Sequence, residues 1–379
     1  MNQKTILISI NAAWNIVNFR SGLIRALQAD GHRILALAPP DDWSGQLAAF
    51  GVEFHPLEMD KKGVSPARDA MLLLRYIAAL RRLRPDVFLG YTAKPNIYGS
   101  LAAHVLGIPV VNNVSGLGTA FIRGGWLMRL VSALYRLAFR RSKVVFFQNE
   151  EDQALFVGRK IVSSERSRLL PGSGIDLSKF RPQRQTSAGK GFSFLLIARL
   201  LWDKGVGEFV EAARIVRASI PDARFQLLGF LDAENRTAVP RANVDAWQAE
   251  GLIDYLGHAS DVRPFIAQAG CVVLPSYREG LPRSLLEAAA MAQPLIATNV
   301  PGCRQVVEHG VNGFLCAPRD PQALAEAMLA MIRLSEADRA AFGDAGRRKA
   351  EEQFDEAKVV DLYRVAVRNA LPSPEGVAR

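Results

Sequence analysis

Apolar runs of strand length recur along the chain and alternate with longer stretches whose apolar positions follow helical spacing. Thr5–Ile10, Arg33–Ala38, Val52–Pro56, Val87–Tyr91, Val110–Asn113 and Val144–Gln148 read as strands. Helices are expected near Phe19–Ala29 (stopped by Gly31), over Ala67–Arg84 and over Trp126–Arg141. Strands and helices alternating at this spacing predict an α/β, doubly wound parallel sheet. A second series begins with strand Phe192–Ala198 and helix Glu208–Ser219. It continues through Arg224–Gly229, Ile253–Leu256, Cys271–Pro275, Pro294–Thr298 and helix Leu324–Leu334, and the tail Glu356–Ala370 is helical again. A chain of 379 residues exceeds one core and fits two domains. We place them at 1–182 and 191–355, joined by the linker Gln183–Gly191 and followed by the tail 356–379.

The second series is organised around 271–300, which reads strand, polar loop, helix, strand. Its helix, Ser284–Met291, has Pro282 ahead of it, suited to a first turn whose N–H needs no partner. Glu279 falls in the loop at the carboxyl end of a strand, where open parallel sheets bind ligands and helix N-termini meet anions. Glu287 falls inside the helix, in the apolar stretch LLEAAAMA. A solvent-facing Glu279 and a helix-surface Glu287 are the plainer reading. That reading does not explain Glu287, because a buried charge needs a partner.

Other loops at strand ends carry candidate chemistry. Arg199 and Lys204 follow a buried strand in R-L-L-W-D-K-G. Thr92–Gly99 and Val114–Phe121 are polar or glycine-rich, and Gly116 and Gly118 either admit backbone close to a ligand or simply make turns. Lys94 is the one cation beside these loops, able to pair with a phosphate or a nearby acid. Ser260 or Asp261 reads as an N-cap. Asp232-Ala-Glu234, the nearest approach to a metal-binding Asp-x-Asp, is in a predicted loop, so no metal site is expected.

Charge sharpens the division between the halves. Residues 1–170 hold 22 Lys and Arg against 12 Asp and Glu, the remainder 25 of each, so the whole net charge of +10 sits in the first half. A basic half points to a polyanionic surface, nucleic acid or anionic lipid. The two helices 67–84 and 126–141 combine apolar stripes with Arg75, Arg81, Arg82 and Arg84, and with Arg129, Arg136, Arg140 and Arg141. Such helices lie on membranes, or face a core and solvate a basic edge. Aromatic interleaving is lacking, which speaks against nucleic acid. Cys271, Cys303 and Cys316 have no metal spacing and read as buried reduced thiols. The N-terminus reads as a first strand, not a signal peptide, and no apolar run is long enough to span a bilayer. A cytoplasmic protein, peripheral on the inner face of the membrane, is expected.

The Glu-x7-Glu arrangement in S-Y-R-E-G-L-P-R-S-L-L-E-A, with P-G and N-G-F-L downstream, resembles glycosyltransferase family 4. These are retaining sugar-nucleotide enzymes of the GT-B fold, two Rossmann-like domains facing each other across a cleft. The resemblance covers nearly the whole chain. K-P-N-I-Y-G-S-L-A-A and S-G-L-G-T-A-F look like the branch that extends undecaprenyl-diphosphate-linked sugars, to which bacterial N-acetylgalactosaminyltransferases of N-glycan and O-antigen assembly belong. It implies that residues 1–182 bind the acceptor, that 191–355 bind a UDP-sugar, and that the tail crosses back to brace the first domain. Arg199 and Lys204 would grip the donor diphosphate, in place of a metal, and Glu279 would face the donor sugar. The N–H groups of Gly280 and Leu281 would approach the phosphates, Glu287 would accept both ribose hydroxyls, and the base would lie near His258 and Ala259. Lys94, Asn96, Ser115, Gly116 and Gly118 would meet a lipid-diphosphate-linked saccharide, with an anionic membrane as partner and no nucleic acid. No cofactor is implied beyond the donor. The chain departs from the family in carrying Ala12-Ala13 where a Gly-Gly pair is common, and in lacking a His near 92–98. Rivals are a UDP-sugar 2-epimerase on the same fold and a non-catalytic basic binder of membranes or nucleic acid.

Overall fold

The computed structural model describes residues 3–60, 65–117, 125–183, 191–231 and 237–371. Gly118, Asp232 and Glu234 lie outside them. The chain forms two units, Met1–Gly174 with Glu356–Arg379, and Ile175–Asp355.

The first unit runs β1 (Thr5–Ser9), α1 (Ala13–Phe19), α2 (Ser21–Ala29), β2 (Arg33–Ala38), β3 (Glu53–Pro56), α3 (Pro66–Leu83), β4 (Val87–Tyr91), α4 (Ser100–Val105), β5 (Val110–Val114), α5 (Gly125–Phe139), β6 (Val144–Phe147), α6 (Glu150–Gly158) and β7 (Ser167–Leu169). Its strands form one sheet in the order β3-β2-β1-β4-β5-β6-β7, every pair parallel. Successive residues of β1 serve opposite faces. Ile6 and Ile8 join a core with Leu23, Leu27 and Val359, while Leu7 joins one with Leu72, Tyr76 and Ala102. Coverage by helices on both sides is what lets β4 bury every residue, as parallel sheets require.

The second unit runs β8 (Ser193–Ile197), α7 (Val206–Ser219), β9 (Arg224–Leu228), α8 (Arg241–Ala249), β10 (Asp254–Tyr255), α9 (Arg263–Gln268), β11 (Cys271–Leu274), α10 (Arg283–Ala290), β12 (Leu295–Thr298), α11 (Cys303–Val306), β13 (Gly313–Cys316), α12 (Pro321–Arg333) and α13 (Glu336–Gln353). Its sheet has the order β10-β9-β8-β11-β12-β13, again all parallel. The chain then re-enters the first unit as α14 (Glu356–Ala370). There Val359, Val360, Tyr363 and Val367 are buried. Arg364 holds both oxygens of Asp30, at 2.8 and 2.9 Å. The tail therefore braces the first unit.

Several expectations needed correction. The boundary lies after Gly174, not at 182, because Phe180 belongs to the second unit's core with Leu274 and Leu285. Residues 13–19, to which the apolar pattern assigns no element, form a helix, and the helix expected from Phe19 is broken at Arg20, whose backbone leaves helical values (φ −130°, ψ 3°). After Thr92, whose φ is positive (61°), residues 93–99 are helical too, widening into a π turn over Pro95–Gly99 that runs into α4. The turn packs closely on β4, since a Cβ on Gly99 would come within 2.4 Å of the Phe88 ring. Pro282 is the N-cap of α10, one place before its first turn. All three cysteines are buried free thiols.

Candidate active site

Three loops at the carboxyl edge of the second sheet are tied together by backbone. After β8 the chain makes a 3₁₀ turn over Trp202–Lys204, closed by Gly205 in the left-handed region (φ 74°). A Cβ at Gly205 would lie 2.1 Å from the Pro275 carbonyl oxygen, so only glycine lets this turn rest on the loop after β11. That contact is locked by Tyr277 N–H donating to Asp203 O (2.9 Å) and by Ser276 Oγ donating to the same oxygen (3.2 Å). The loop after β12 supports the arrangement from beneath. Pro301 O accepts from Glu279 N–H (3.3 Å), and left-handed Gly302 packs where a Cβ would sit 2.5 Å from Gly280 O.

The frame brings Lys204 and Glu279 together as an ion pair, 75 residues apart in sequence. Their side chains are 20% and 13% exposed, so each is largely withdrawn from water yet reachable. Arg199, on the same loop as Lys204, is exposed. The neighbouring β9 exit closes on it: a Cβ on Gly229 would meet Ala198 O at 1.7 Å. Gly229 N–H donates to Gly257 O (2.7 Å), which brings the loop of His258 and Ala259 alongside. His258 is exposed and its ring stacks on that of Phe230, centroids 4.5 Å apart. Phe230 is itself exposed, an aromatic platform beside the cations. Sequence reading missed it; its place directly after Gly229 at a strand's carboxyl end was the available signal.

Glu287 has the partner its apolar setting demands. Arg283, one helical turn earlier, donates from Nε to Oε1 at 2.9 Å, and the two side chains are 19% and 12% exposed. Burial still dominates and raises the Glu287 carboxyl above its ordinary 4.5, with Arg283 and Lys179 pulling the other way. Asp261 does not cap α9 from the N-cap position. Its carboxylate takes Arg263 N–H and is gripped by the Arg263 guanidinium, which lowers its pKa. Gly280 is buried and Leu281 half-buried where the loop enters α10.

In the first unit, Lys94 pairs with Asp69 of α3 at 2.9 Å, with the two side chains 17% and 6% exposed. Asn96 is fully buried: its Nδ2 donates to Asn113 O (2.8 Å) and its Oδ1 accepts from Asn112 (2.9 Å). The loops after β4 and β5 are thereby stitched side by side. Ser115 is half-buried and Gly116 exposed with φ 146°. Lys94 is not the one cation at these strand ends, because Arg20 lies over the Tyr91 ring at 4.4 Å.

Two doubly wound parallel units, one with paired and free cations at its ligand edge, define the GT-B class of glycosyltransferase. HepE of Anabaena, solved in complex with UDP and glucose, superposes with a TM-score of 0.78 over 97% of this chain and 100% of its own, at 18% identity. The family model for group 1 glycosyl transferases matches residues 191–333, and that for glycosyl transferase 4-like domains matches 17–172. The "Putative glycosyltransferase EpsD" of Bacillus subtilis (strain 168) is 30% identical over 84% of this chain and 87% of its own. The N,N'-diacetylbacillosaminyl-diphospho-undecaprenol alpha-1,3-N-acetylgalactosaminyltransferase of Campylobacter jejuni is 28% identical over 83% and 86%. The chain belongs to the group 1, family 4-like glycosyltransferases, and it is an enzyme of that family.

Proposed function

We propose that the protein is a retaining glycosyltransferase that moves an N-acetylhexosamine, such as N-acetylgalactosamine, from a UDP-sugar to a polyprenyl-diphosphate-linked saccharide during cell-surface glycan assembly. The observation that carries the reading is the Lys204–Glu279 pair, built by three loops at the ligand edge of the second sheet. The name of the Campylobacter relative supports the choice of sugar and of lipid-linked acceptor. Family membership favours transfer over the epimerase and the non-catalytic binder.

In this mechanism Lys204 and Arg199 stabilise the negative charge that develops on the leaving diphosphate, the work of a metal-free cationic clamp. A diphosphate arriving at Lys204 replaces Glu279 as its counter-ion and releases Glu279 to hold hydroxyls of the donor sugar. Glu287 accepts the ribose hydroxyls with its two oxygens, oriented by Arg283. The base lies against the Phe230–His258 face. Retention then comes from reaction on one face, with the departing phosphate oxygen taking the acceptor proton and the protein positioning the reactants.

Such an acceptor resides in a membrane, and α5 suits an anionic membrane surface. Its inner face buries Ser132, Tyr135, Ala138 and Phe139. Its outer side exposes Trp126 (73%), Leu130 (37%) and Leu137 (54%) beside exposed Arg129 and Arg140. Arg136 instead donates to the carbonyls of Arg159 and Lys160. No helix among the described residues is long and apolar enough to cross a membrane, so a surface-bound position on the inner leaflet fits the acceptor.

The test is UDP release from UDP-N-acetylgalactosamine in the presence of a polyprenyl-diphosphate-linked sugar, with UDP-, GDP- and dTDP-sugars compared and excess chelator added. Acceptor-dependent UDP release that survives chelator, with the α-anomer formed, is the expected result. Release that needs added magnesium or manganese overturns the cationic clamp, and a β-linked product overturns retention.

A further inference from the structure

The strand order of the first sheet reverses between β1 and β4, the position at which open α/β sheets take ligands. A buried cation stands there. Arg20, at the break between α1 and α2, is 4% exposed. Its guanidinium lies 4.4 Å above the Tyr91 ring, and its Nε has no hydrogen-bond partner. Tyr91 and Asn113 are register partners at the ends of β4 and β5, and both face Tyr363 of α14. Asn113 Nδ2 donates to the Tyr363 hydroxyl at 2.8 Å, while Asn113 Oδ1 has no partner. The Tyr91 and Tyr363 rings are 6.0 Å apart and their hydroxyls interact, but the Tyr91 hydroxyl makes no hydrogen bond of good geometry.

A guanidinium cannot shed its proton, so burial leaves Arg20 charged. A ring face compensates a buried cation only in part. The same unit shows how a structural arginine is ordinarily held, since Arg364 is clasped by Asp30 through both oxygens. Arg20 has no such carboxylate among the described residues. Glu356 comes near the same break, with its carboxylate packed where a Cβ on Gly22 would lie 2.2 Å away, but it makes no ion pair with Arg20. Burial raises the pKa of both phenols, so they remain O–H donors.

We propose that Arg20, with the Tyr91 hydroxyl and Asn113 Oδ1, is an oxyanion-binding site that takes the diphosphate of the lipid-linked acceptor. The identity of the anion rests on the acceptor reading given above. The guanidinium and the phenol donate to phosphate oxygens, and Asn113 Oδ1 accepts from a hydroxyl of the attached sugar.

The test measures thermal shift and kinetics on the full chain. Inorganic pyrophosphate is the probe, applied in an Arg199→Ala, Lys204→Ala background so that the second unit's cations do not answer for it. Pyrophosphate is expected to raise the melting temperature of that background, and not of the same chain carrying Arg20→Met. In the otherwise native enzyme, Arg20→Met should raise KM for a polyprenyl-diphosphate-linked sugar about tenfold or more, Arg20→Lys by less, with the donor KM within about twofold. If Arg20→Met does not fold, Arg20→Lys and Tyr91→Phe carry the same two readouts. An Arg20→Met chain that melts lower, keeps the pyrophosphate shift and keeps its acceptor KM makes Arg20 a structural cation and overturns the proposal. A shift lost with Arg20 while no lipid-linked saccharide is turned over leaves the anion site standing and overturns the acceptor reading. Equal shifts with inorganic phosphate and pyrophosphate, and an unmoved acceptor KM, assign the site to free phosphate and overturn the acceptor diphosphate.

Discussion

Both sheets carry a cation at the point where strand order reverses, and they treat it in opposite ways. In the second unit the reversal falls between β8 and β11. Lys204 lies there 20% exposed and already paired with Glu279, with Arg199 exposed nearby. In the first unit Arg20 is 4% exposed and has an aromatic face for company in place of a carboxylate. A pair that water still reaches can trade one counter-ion for another, because the incoming anion replaces what the carboxylate gave. A buried guanidinium with no carboxylate partner among the described residues carries a desolvation cost that an arriving anion would offset. On the proposals made above, topology places the cation and burial decides how it would work: a clamp that exchanges partners in one unit, a waiting receptor in the other.

The largest effect should come from removing the exchangeable cation. Lys204→Ala is expected to lower kcat by roughly 10²-fold or more, as for one lost transition-state contact, while the fold is kept; single-turnover kinetics with circular dichroism checks both. A fall of less than about threefold would leave Arg199 as the working cation and break the assignment of Lys204. Next comes the charge contrast between the units. Replacing Arg129, Arg140 and Arg141 with Gln should weaken binding to anionic liposomes by roughly 10²-fold, at about 1 kcal/mol per cation, and leave UDP affinity unchanged. Undiminished sedimentation at physiological salt would mean that α5 serves the core alone.

Smaller effects separate the glutamates. Glu287→Ala should weaken UDP about tenfold, the order of one or two hydrogen bonds to a charged group, whereas Glu279→Ala should leave UDP affinity nearly intact and damage turnover. Equal losses by calorimetry would mean the two roles are misassigned. The smallest effect is a pH shift. Glu287 has its pKa raised by burial, so its folded form holds a proton more readily than its unfolded form. Its contribution favours the fold below the unfolded pKa and is lost as pH rises through the folded pKa. UDP binding runs the other way, since only the carboxylate accepts both hydroxyls, and affinity should fall on acidification with a midpoint above 4.5. Arg283→Gln removes the nearest stabilising charge and should move that midpoint higher. An unmoved midpoint in titration calorimetry would remove Arg283 from the site.

Much of this was legible in the residues. Strands β1–β6 and β8–β12 and the tail helix over Glu356–Ala370 are where apolar spacing puts them, while the short β7 and β13 were not anticipated. Buried parallel strands and amphipathic helices write their periods into the sequence when they are long enough. Glu287 announced a partner by sitting in an apolar run. That the partner is Arg283 follows from helical spacing, i to i+4, and could have been read as well. Other features left no such trace. The polar helix α13 buries Gly343, Gly346 and Ala350, and a Cβ on Gly343 would lie 2.0 Å from Ala292 O. Close backbone approach through small residues carries no hydrophobic period. The helical course of 93–99 was hidden because Pro95 and Gly99 look like turn formers in isolation.

Sequence alone therefore determined the two-unit α/β organisation, the resemblance to family 4, and the residue types proposed to grip a diphosphate and a ribose. Tertiary structure decided which charges meet. Lys204 finds Glu279 across 75 residues because Gly205 rests on Pro275 O. Lys94 is claimed by Asp69, and Arg20, which reads in sequence as one more helix arginine, turns inward over Tyr91. The physical reason is range. Periodicity and propensity act over one or two helical turns, whereas the partner and the burial of a charge depend on which loops the folded sheets bring to one edge.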